Sequence, residues 1–292
     1  MVTQLKTVSL VLGIGGARGM AHIGVIQWLN ENGYDIRSIT GASIGALIGG
    51  IYAAGKLDTY TEWVLALERL HVVRLLDPAF GRKGLFKGDR IIGVLRELIG
   101  DFDIEDLPVS FAAVATDLES GEEVWLHEGK LFDAIRASIA TPFIFTPFGR
   151  NGRTLVDGGL VNPVPIGPTH NDTTGLTVAV NLRGATESRP PPPPRAPIPN
   201  GNCYRQRIHA FIDSLHQSGM PAAPAHGILD IASASMEAMQ DTIMRLRLAA
   251  YSTDVMIEIP RNACGLFEYW RAEELIALGR ERAARAFSAA GH

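Results

Sequence analysis

At 292 residues with 46% hydrophobic side chains, the chain is long enough to bury a sizeable core, as one large α/β domain or two small ones. A formal net charge of −4 argues against a nucleic-acid surface, which would carry a basic excess. Two cysteines, Cys203 and Cys264, make neither a disulfide framework nor a metal site, and suit a reducing cytosol.

The elements follow in chain order. Thr7 to Gly13 reads as a buried strand by its Val and Leu content. The apolar run there is short and feeds straight into a glycine turn, so a strand is expected rather than a signal peptide. Met20, Ile23, Ile26 and Leu29 recur every three residues and mark a helix ended by Asn32-Gly33. Ile36 to Thr40 is a second strand and Ile44 to Ala54 a second helix, the alternation of a parallel sheet covered by helices. Further helices are expected at Asp58 to Leu70 and at Asp89 to Ile99, with Asp89 as N-cap. Val109 to Thr116 and Glu122 to Leu126 read as a hairpin around Glu119-Ser120-Gly121. Lys130 to Ala140 is helical, Arg153 to Val156 a short strand, and Leu176 to Leu182 a buried strand.

The composition then changes. Pro190 to Pro194 are consecutive, with Pro197 and Pro199 close behind, so this stretch holds neither helix nor central strand. A surface insertion at about 186–227 is expected, because a strand at Asp254 to Ile259 and a long helix at Glu268 to Phe287 resume the α/β pattern. The reading is therefore a single domain over 1–292, which segment 228–292 completes. No stretch reaches the roughly 18 apolar residues that span a bilayer, so membrane contact is expected to be peripheral, at the inner face.

Gly41-Ala42-Ser43-Ile44-Gly45 lies between the second strand and the second helix, the setting of a nucleophile elbow. Small flanking residues let the turn close, and helix-start amides favour a nascent alkoxide on Ser43. Gly45, Gly49 and Gly50 within the helix each cost about 1 kcal/mol relative to Ala, which implies close packing against the sheet. A tight turn entering a small-residue helix would show the same pentapeptide.

Gly13-Ile14-Gly15-Gly16-Ala17-Arg18-Gly19 follows the first strand, with four glycines in seven residues. A dinucleotide loop of the Gly-x-Gly-x-x-Gly type would need glycine at Arg18 or Ile14, and no Lys-Ser or Lys-Thr makes a Walker loop. An oxyanion hole needs only backbone amides near Ser43, and Gly15, Gly16, Ala17 and Arg18 are the candidate donors. Asp157, followed by Gly158 and Gly159, is by itself an ordinary Asp-Gly turn. Beside Ser43 it becomes the candidate base. A triad would need a histidine, but His209, His216 and His226 lie in or beside the Pro-rich insertion, so a Ser43–Asp157 dyad fits better. Its aspartate must be made more basic by partial desolvation.

These three segments, in this order, resemble the patatin-like phospholipase family. There a Gly-Gly-x-Arg-Gly loop, a Gly-x-Ser-x-Gly serine and an Asp-Gly-Gly aspartate fall on Gly15 to Gly19, Ser43 and Asp157. The resemblance extends through Val114-Ala115-Thr116-Asp117-Leu118, Arg136 to Phe143 and Asn162-Pro163-Val164-Pro165. It covers most of Leu10 to Leu182 and weakens from Asp254 onward. Ile14 departs from it, standing where many members carry glycine. The resemblance implies a three-layer α/β/α fold with a mostly parallel sheet, no metal or cofactor, and a serine esterase of phospholipase A or lysophospholipase type. Its partner would be a lipid or lysophospholipid ester. The competing readings are a catalytically silent binding or scaffold protein on the same fold, and a nucleotide-binding protein using the glycine loop.

Phe143, Phe145 and Phe148 precede Asp157 and are expected either to line an acyl pocket or touch a membrane, or to pack in the core. Arg82, Lys83 and Lys87 form a small basic cluster, read either as a greeting for anionic headgroups or, as is more common, as a solvated loop. Met236, Met239 and Met244, at helical spacing, are expected in the core.

Overall fold

The computed structural model describes residues 6–79, 85–188 and 228–292. His209, His216, His226, Cys203, Arg82, Lys83 and the Pro-rich stretch lie outside the described residues. The chain divides into two compact units, Met1–Glu187 with Ser235–His292, and Ser188–Ala234. The first holds the sheet and everything below. The second contributes, among the described residues, Ser188 and the opening turns of one helix.

The sheet has eight strands: β1 (Lys6–Leu12), β2 (Tyr34–Ala42), β3 (Ser110–Asp117), β4 (Glu123–Leu126), β5 (Phe148–Arg150), β6 (Arg153–Asp157), β7 (Leu176–Gly184) and β8 (Val255–Pro260). Their order is β5-β6-β3-β2-β1-β7-β8, with β4 also on β3. β3-β2-β1-β7-β8 run parallel, while β4, β5 and β6 form an antiparallel edge. The chain winds outward from β1 in both directions, so a crevice opens beyond the carboxyl ends of the central strands.

Side chains alternate across the sheet. Val8, Leu10 and Leu12 of β1, with Val178, Val180 and Leu182 of β7, face the main core. Val11 and Ala179 face a smaller cluster with Val164, Ile166 and Met244 on the other side. The main face is covered by α1 (Met20–Glu31), α2 (Ile44–Ala53), α3 (Leu57–Leu65), α5 (Asp89–Ile99), α6 (Leu131–Ser138) and α8 (Ala272–Ala290). Met244 comes from α7 (Ile228–Ala250), whose residues Met244 and Leu248 cover the opposite face, and α4 (Arg69–Leu75) is peripheral. The three-layer α/β/α arrangement is thus present. Helices α1 and α8 cross at backbone contact: a Cβ on Gly24 would meet the Ile276 carbonyl oxygen at 1.9 Å, and one on Gly279 the Ala21 carbonyl oxygen at 2.0 Å.

Several elements differ from the expectation. The helix foreseen over Asp58 to Leu70 is two helices, α3 and α4, because the chain turns at Glu68 and its amide is taken by His71 Nδ1 at 3.2 Å. Asp89 is the first residue of α5 and not its cap. Gly88, at φ 81°, holds the cap position, and the Asp77 carboxylate accepts from the amides of Gly88, Asp89 and Arg90 at 2.7, 3.1 and 3.1 Å. The C-terminal helix starts at Ala272, after a single turn over Tyr269–Arg271, because the Glu268 carboxylate turns back to the Gly265 amide and Arg271. Of the three methionines only Met244 is buried; Met239 is 57% exposed on the outer side of α7.

Candidate active site

Strand register brings the sequence motifs to one end of the sheet. Ala42 pairs with Val114 and Ala115 pairs with Asp157, so Ser43, one residue beyond β2, stands two strand spacings from Asp157, about 10 Å between backbones. The glycine loop leaves β1, the neighbour of β2, at the same edge.

Ser43 adopts φ 53° and ψ −123°, a conformation that costs a non-glycine residue about 1–3 kcal/mol. The surroundings hold it there. Its N–H donates to Ser138 Oγ at 2.9 Å, and the Ser138 hydroxyl donates in turn to the Val114 carbonyl at 2.6 Å. The elbow also lies hard against the sheet. A Cβ on Gly45 would come within 2.1 Å of the Leu12 carbonyl oxygen, and one on Gly41 within 2.4 Å of the Gly45 carbonyl. The helix glycines therefore serve backbone approach, and Ser43 is left half-buried at the turn.

Asp157 is 4% exposed and fully engaged. Its Oδ1 accepts from the Gly159 amide at 2.8 Å and its Oδ2 from the Thr141 hydroxyl at 2.7 Å. Its own N–H donates to the Ala140 carbonyl at 3.0 Å, and its carbonyl accepts from Thr116 Oγ1 at 3.1 Å. Burial pushes the carboxyl pKa above its ordinary value, and the nearby Ser43 hydroxyl together with the hydrogen bonds from Thr141 and the Gly159 amide opposes that rise. The Ser43 hydroxyl is close enough to act on the Asp157 titration, while the direct hydrogen bonds to the carboxylate come from Thr141 and the Gly159 amide. Gly158 and Gly159 pack against Val114 and Ile14 with no room for a side chain.

The amides of the glycine loop divide into two sets. Ala17 N–H donates to the Leu266 carbonyl at 2.9 Å, and Arg18 N–H to the Gly15 carbonyl at 3.3 Å. Those two are engaged within the fold. The amides of Gly15 and Gly16 have no acceptor among the described residues. The Arg18 guanidinium, 8% exposed, straps the loop by donating from Nε to the Gly15 carbonyl at 3.1 Å and from Nη1 to the Arg261 carbonyl at 2.7 Å. Beneath the loop, buried His22 donates from Nε2 to the Gly13 carbonyl at 2.9 Å. Burial lowers its pKa to about 4, so the ring is neutral.

Gly16 and Ser43 open onto a cavity of about 940 Å³, counting its open mouth. Its deep end is built from Leu47, Tyr60 and Leu95, all buried, and Ile144 and Phe145 form a side wall. Leu266 and Phe267 stand at the rim. Among the described residues no Lys, Arg, His, Asp or Glu lines it, and burial keeps the Tyr60 and Tyr269 hydroxyls neutral by raising their pKa values. Phe145 therefore faces the cavity, Phe148 packs against the core, and Phe143 is 48% exposed at φ 69°.

Ser138 and Thr141 were not singled out from the sequence, although both sit in the Arg136 to Phe143 segment. Within four positions that segment supplies the acceptor for the Ser43 amide, the acceptor for the Asp157 amide and the donor to the Asp157 carboxylate. Among the described residues no histidine hydrogen-bonds Ser43 or Asp157. No group of three His, Cys, Asp or Glu residues able to hold a metal occurs among them either. No helix among them is long and apolar enough to cross a membrane.

Residues 10–170 match the Patatin family, described as patatin-like phospholipase. The NTE family protein Rv1063c of Mycobacterium tuberculosis is 35% identical over 333 aligned residues, covering 97% of this chain and 91% of that protein. The patatin-like phospholipase domain-containing protein ZK370.4 of Caenorhabditis elegans is 33% identical over 190 residues, 63% of this chain and 14% of that protein. Neuropathy target esterase sws of Drosophila melanogaster is 30% identical over 184 residues, 61% of this chain and 13% of that protein.

Proposed function

This chain belongs to the patatin-like phospholipase family of lipid hydrolases, and we propose that it is a serine esterase of phospholipase A or lysophospholipase type working through a Ser43–Asp157 dyad. One observation carries the reading: a serine held at positive φ, near enough to a buried carboxylate to act on its titration, opens onto a cavity that no charged side chain lines among the described residues.

The acyl chain enters the cavity and sets the ester carbonyl against Ser43. Asp157 takes the Ser43 hydroxyl proton as Oγ attacks the carbonyl carbon, its raised pKa making it the stronger base. The carbonyl oxygen becomes an oxyanion facing the Gly15 and Gly16 amides, the two loop donors without an internal acceptor. Each such donor lowers the barrier by about 3 kcal/mol. Collapse of the tetrahedral intermediate expels the alcohol or lysolipid, which leaves with the proton from Asp157. In the second half-cycle water gives a proton to Asp157 and attacks the acyl-enzyme. The second intermediate collapses with cleavage of the acyl C–Oγ bond, Asp157 returns the proton to Ser43 Oγ, and the fatty acid departs. Ala17 and Arg18 act in this scheme by holding the loop, with their own amides turned inward.

An apolar chamber beside the glycine loop favours an acyl chain over a nucleotide, whose phosphates and ribose need polar partners. The reading is tested by incubating the protein with lysophospholipids, diacyl phospholipids and neutral glycerides and analysing the products. Release of free fatty acid, lost in Ser43→Ala, is expected. A folded protein that releases none from any member of the panel would refute it.

A further inference from the structure

Helix α4 is apolar on two sides. At about 100° per residue, Val72, Leu75 and Leu76 fall on one side and line the cavity. Leu70 and Val73 fall on the other, 36% and 65% exposed. Seven residues thus form a thin wall, with the chamber behind it and large aliphatic side chains in front. The same edge of the molecule carries further exposed apolar groups. Leu65 ends α3, next to this wall, and Leu266 and Phe267 form the cavity rim. Leu85 and Phe143 stand side by side, joined by the Leu85 N–H to the Phe143 carbonyl at 3.3 Å. Scattered single apolar residues are ordinary on a protein surface, but a set gathered around one cavity mouth marks an interaction site.

Charge bounds the set. Arg69 stacks over the Trp270 ring at 4.5 Å, and Arg90 donates from Nη1 to the Arg74 carbonyl at 2.9 Å, which brings three guanidinium groups to the flanks of Leu70 and Val73. Arg74 makes no ion pair among the described residues. Of the acids between Glu68 and Arg90, Asp77 is turned onto three amides, Asp89 pairs with Arg136 and Glu68 caps α4. Glu268, paired with Arg271, lies near Arg69, and Glu62 and Glu97 lie on the neighbouring helices. Arg74 and Arg90 are thus the cations beside Leu70 and Val73 that no ion pair engages among the described residues. Aliphatic side chains ringed by arginine suit the boundary of a phospholipid layer, where acyl chains and phosphates lie a few ångströms apart.

We propose that the outer face of α4, centred on Leu70 and Val73, docks on a phospholipid surface, so that an acyl chain passes from that surface into the chamber without crossing water. The inference rests on the acyl-chamber reading above and adds the partner that delivers the substrate. Neither Leu70 nor Val73 lines the chamber, so docking and chemistry separate experimentally.

The full chain carrying Ser43→Ala is mixed with vesicles of phosphatidylcholine, or of phosphatidylcholine with phosphatidylglycerol, and the bound fraction is measured by flotation. Binding is expected on both, tighter on the anionic vesicles and weakened there by salt. Leu70→Asp with Val73→Asp should lower the bound fraction at least about tenfold, since two apolar side chains that would enter the layer are replaced by charges. Arg74→Glu should weaken binding to anionic vesicles alone. With Ser43 restored, the Leu70/Val73 variant should hydrolyse a short soluble ester within twofold of the parent while losing activity on vesicle lipid. Absence of vesicle binding by the parent, or binding unchanged in the double variant, overturns the proposal. A change from dimer to monomer in the double variant without loss of vesicle binding would make this face a contact between copies, and would also overturn it. Loss of short-ester turnover in the parent would count against the esterase reading and leave the flotation result to be judged by itself.

Discussion

Thr141 donates its hydroxyl proton to Asp157 Oδ2 at 2.7 Å, and Asp157 Oδ1 is filled by the Gly159 amide at 2.8 Å. A carboxylate buried this deeply would otherwise strongly favour its protonated form. In the proposed dyad these two donors would hold it between two needs, ionised enough to accept a proton and basic enough to take one from a serine. Thr141 also has the Ile139 carbonyl at 3.4 Å as a second acceptor. Its hydroxyl is thereby able to turn and accept from Asp157 once the carboxyl is protonated.

Thr141→Val keeps the shape and removes the donor. The Asp157 pKa then rises further, and the acid limb of kcat/KM against pH moves to higher pH. Thr141→Ser restores the original position. A pH–rate profile of the three proteins on a soluble ester checks this, and coincident limbs for Thr141→Val and wild type would remove Thr141 from the account.

Ser138→Ala leaves the Ser43 amide without its acceptor. An unsatisfied buried donor costs about 1–3 kcal/mol, and the elbow loses the contact that holds Ser43 at positive φ. The expected result is a kcat lowered about tenfold to a hundredfold with KM little changed, because a small displacement of a nucleophile is expensive in rate. Steady-state kinetics distinguishes this from a general loss of folded protein.

Asp157→Asn should remove activity and raise stability at neutral pH. The carboxyl pKa is higher in the fold than in the unfolded chain, so the folded state binds the proton more tightly. Stability therefore falls as pH rises from the unfolded pKa through the folded one, and at neutral pH the ionised group is a net cost. A neutral amide keeps an acceptor for Gly159 and escapes that cost. Thermal unfolding at pH 7 should give a Tm at or above wild type, and a clear drop would mean that the ionised carboxylate stabilises the fold.

His22 gives the opposite sign. Its pKa falls from about 6.5 when unfolded to about 4 in the fold, so the unfolded chain takes up a proton first. The stability contributed by the neutral ring is complete above pH 6.5 and is lost as pH falls toward 4, by about 3 kcal/mol over that window. Denaturant unfolding of wild type and His22→Gln across pH 4–7 should show a stability difference that narrows with acid. A difference independent of pH would show that His22 is not buried as a neutral base.

Much of this site was legible in the sequence because close backbone approach dictates composition. The elbow at Gly41–Gly45 and the loop at Gly13–Gly19 admit only small residues, and that constraint is written locally. What stayed hidden depends on distant partners. Which loop amides remain available is decided by the Leu266 carbonyl, more than two hundred residues away, and by the path of the Arg18 side chain. Ser138 and Thr141 look like ordinary polar residues at a helix end until strand register sets them beside Ser43 and Asp157. The misplaced elements have similar causes. Ala66-Leu67-Glu68 holds no glycine or proline to announce the break between α3 and α4, and the cap of α5 is served by Asp77, twelve residues before Asp89.

The dyad itself is tested most directly by active-site labelling. A fluorophosphonate should modify wild-type protein at one site, located on Ser43 by peptide mass analysis, and labelling should fall to background in Ser43→Ala and become far slower in Asp157→Asn. Labelling of Ser43→Ala at the wild-type rate, or adduct on another residue, would contradict the assignment of Ser43 as nucleophile.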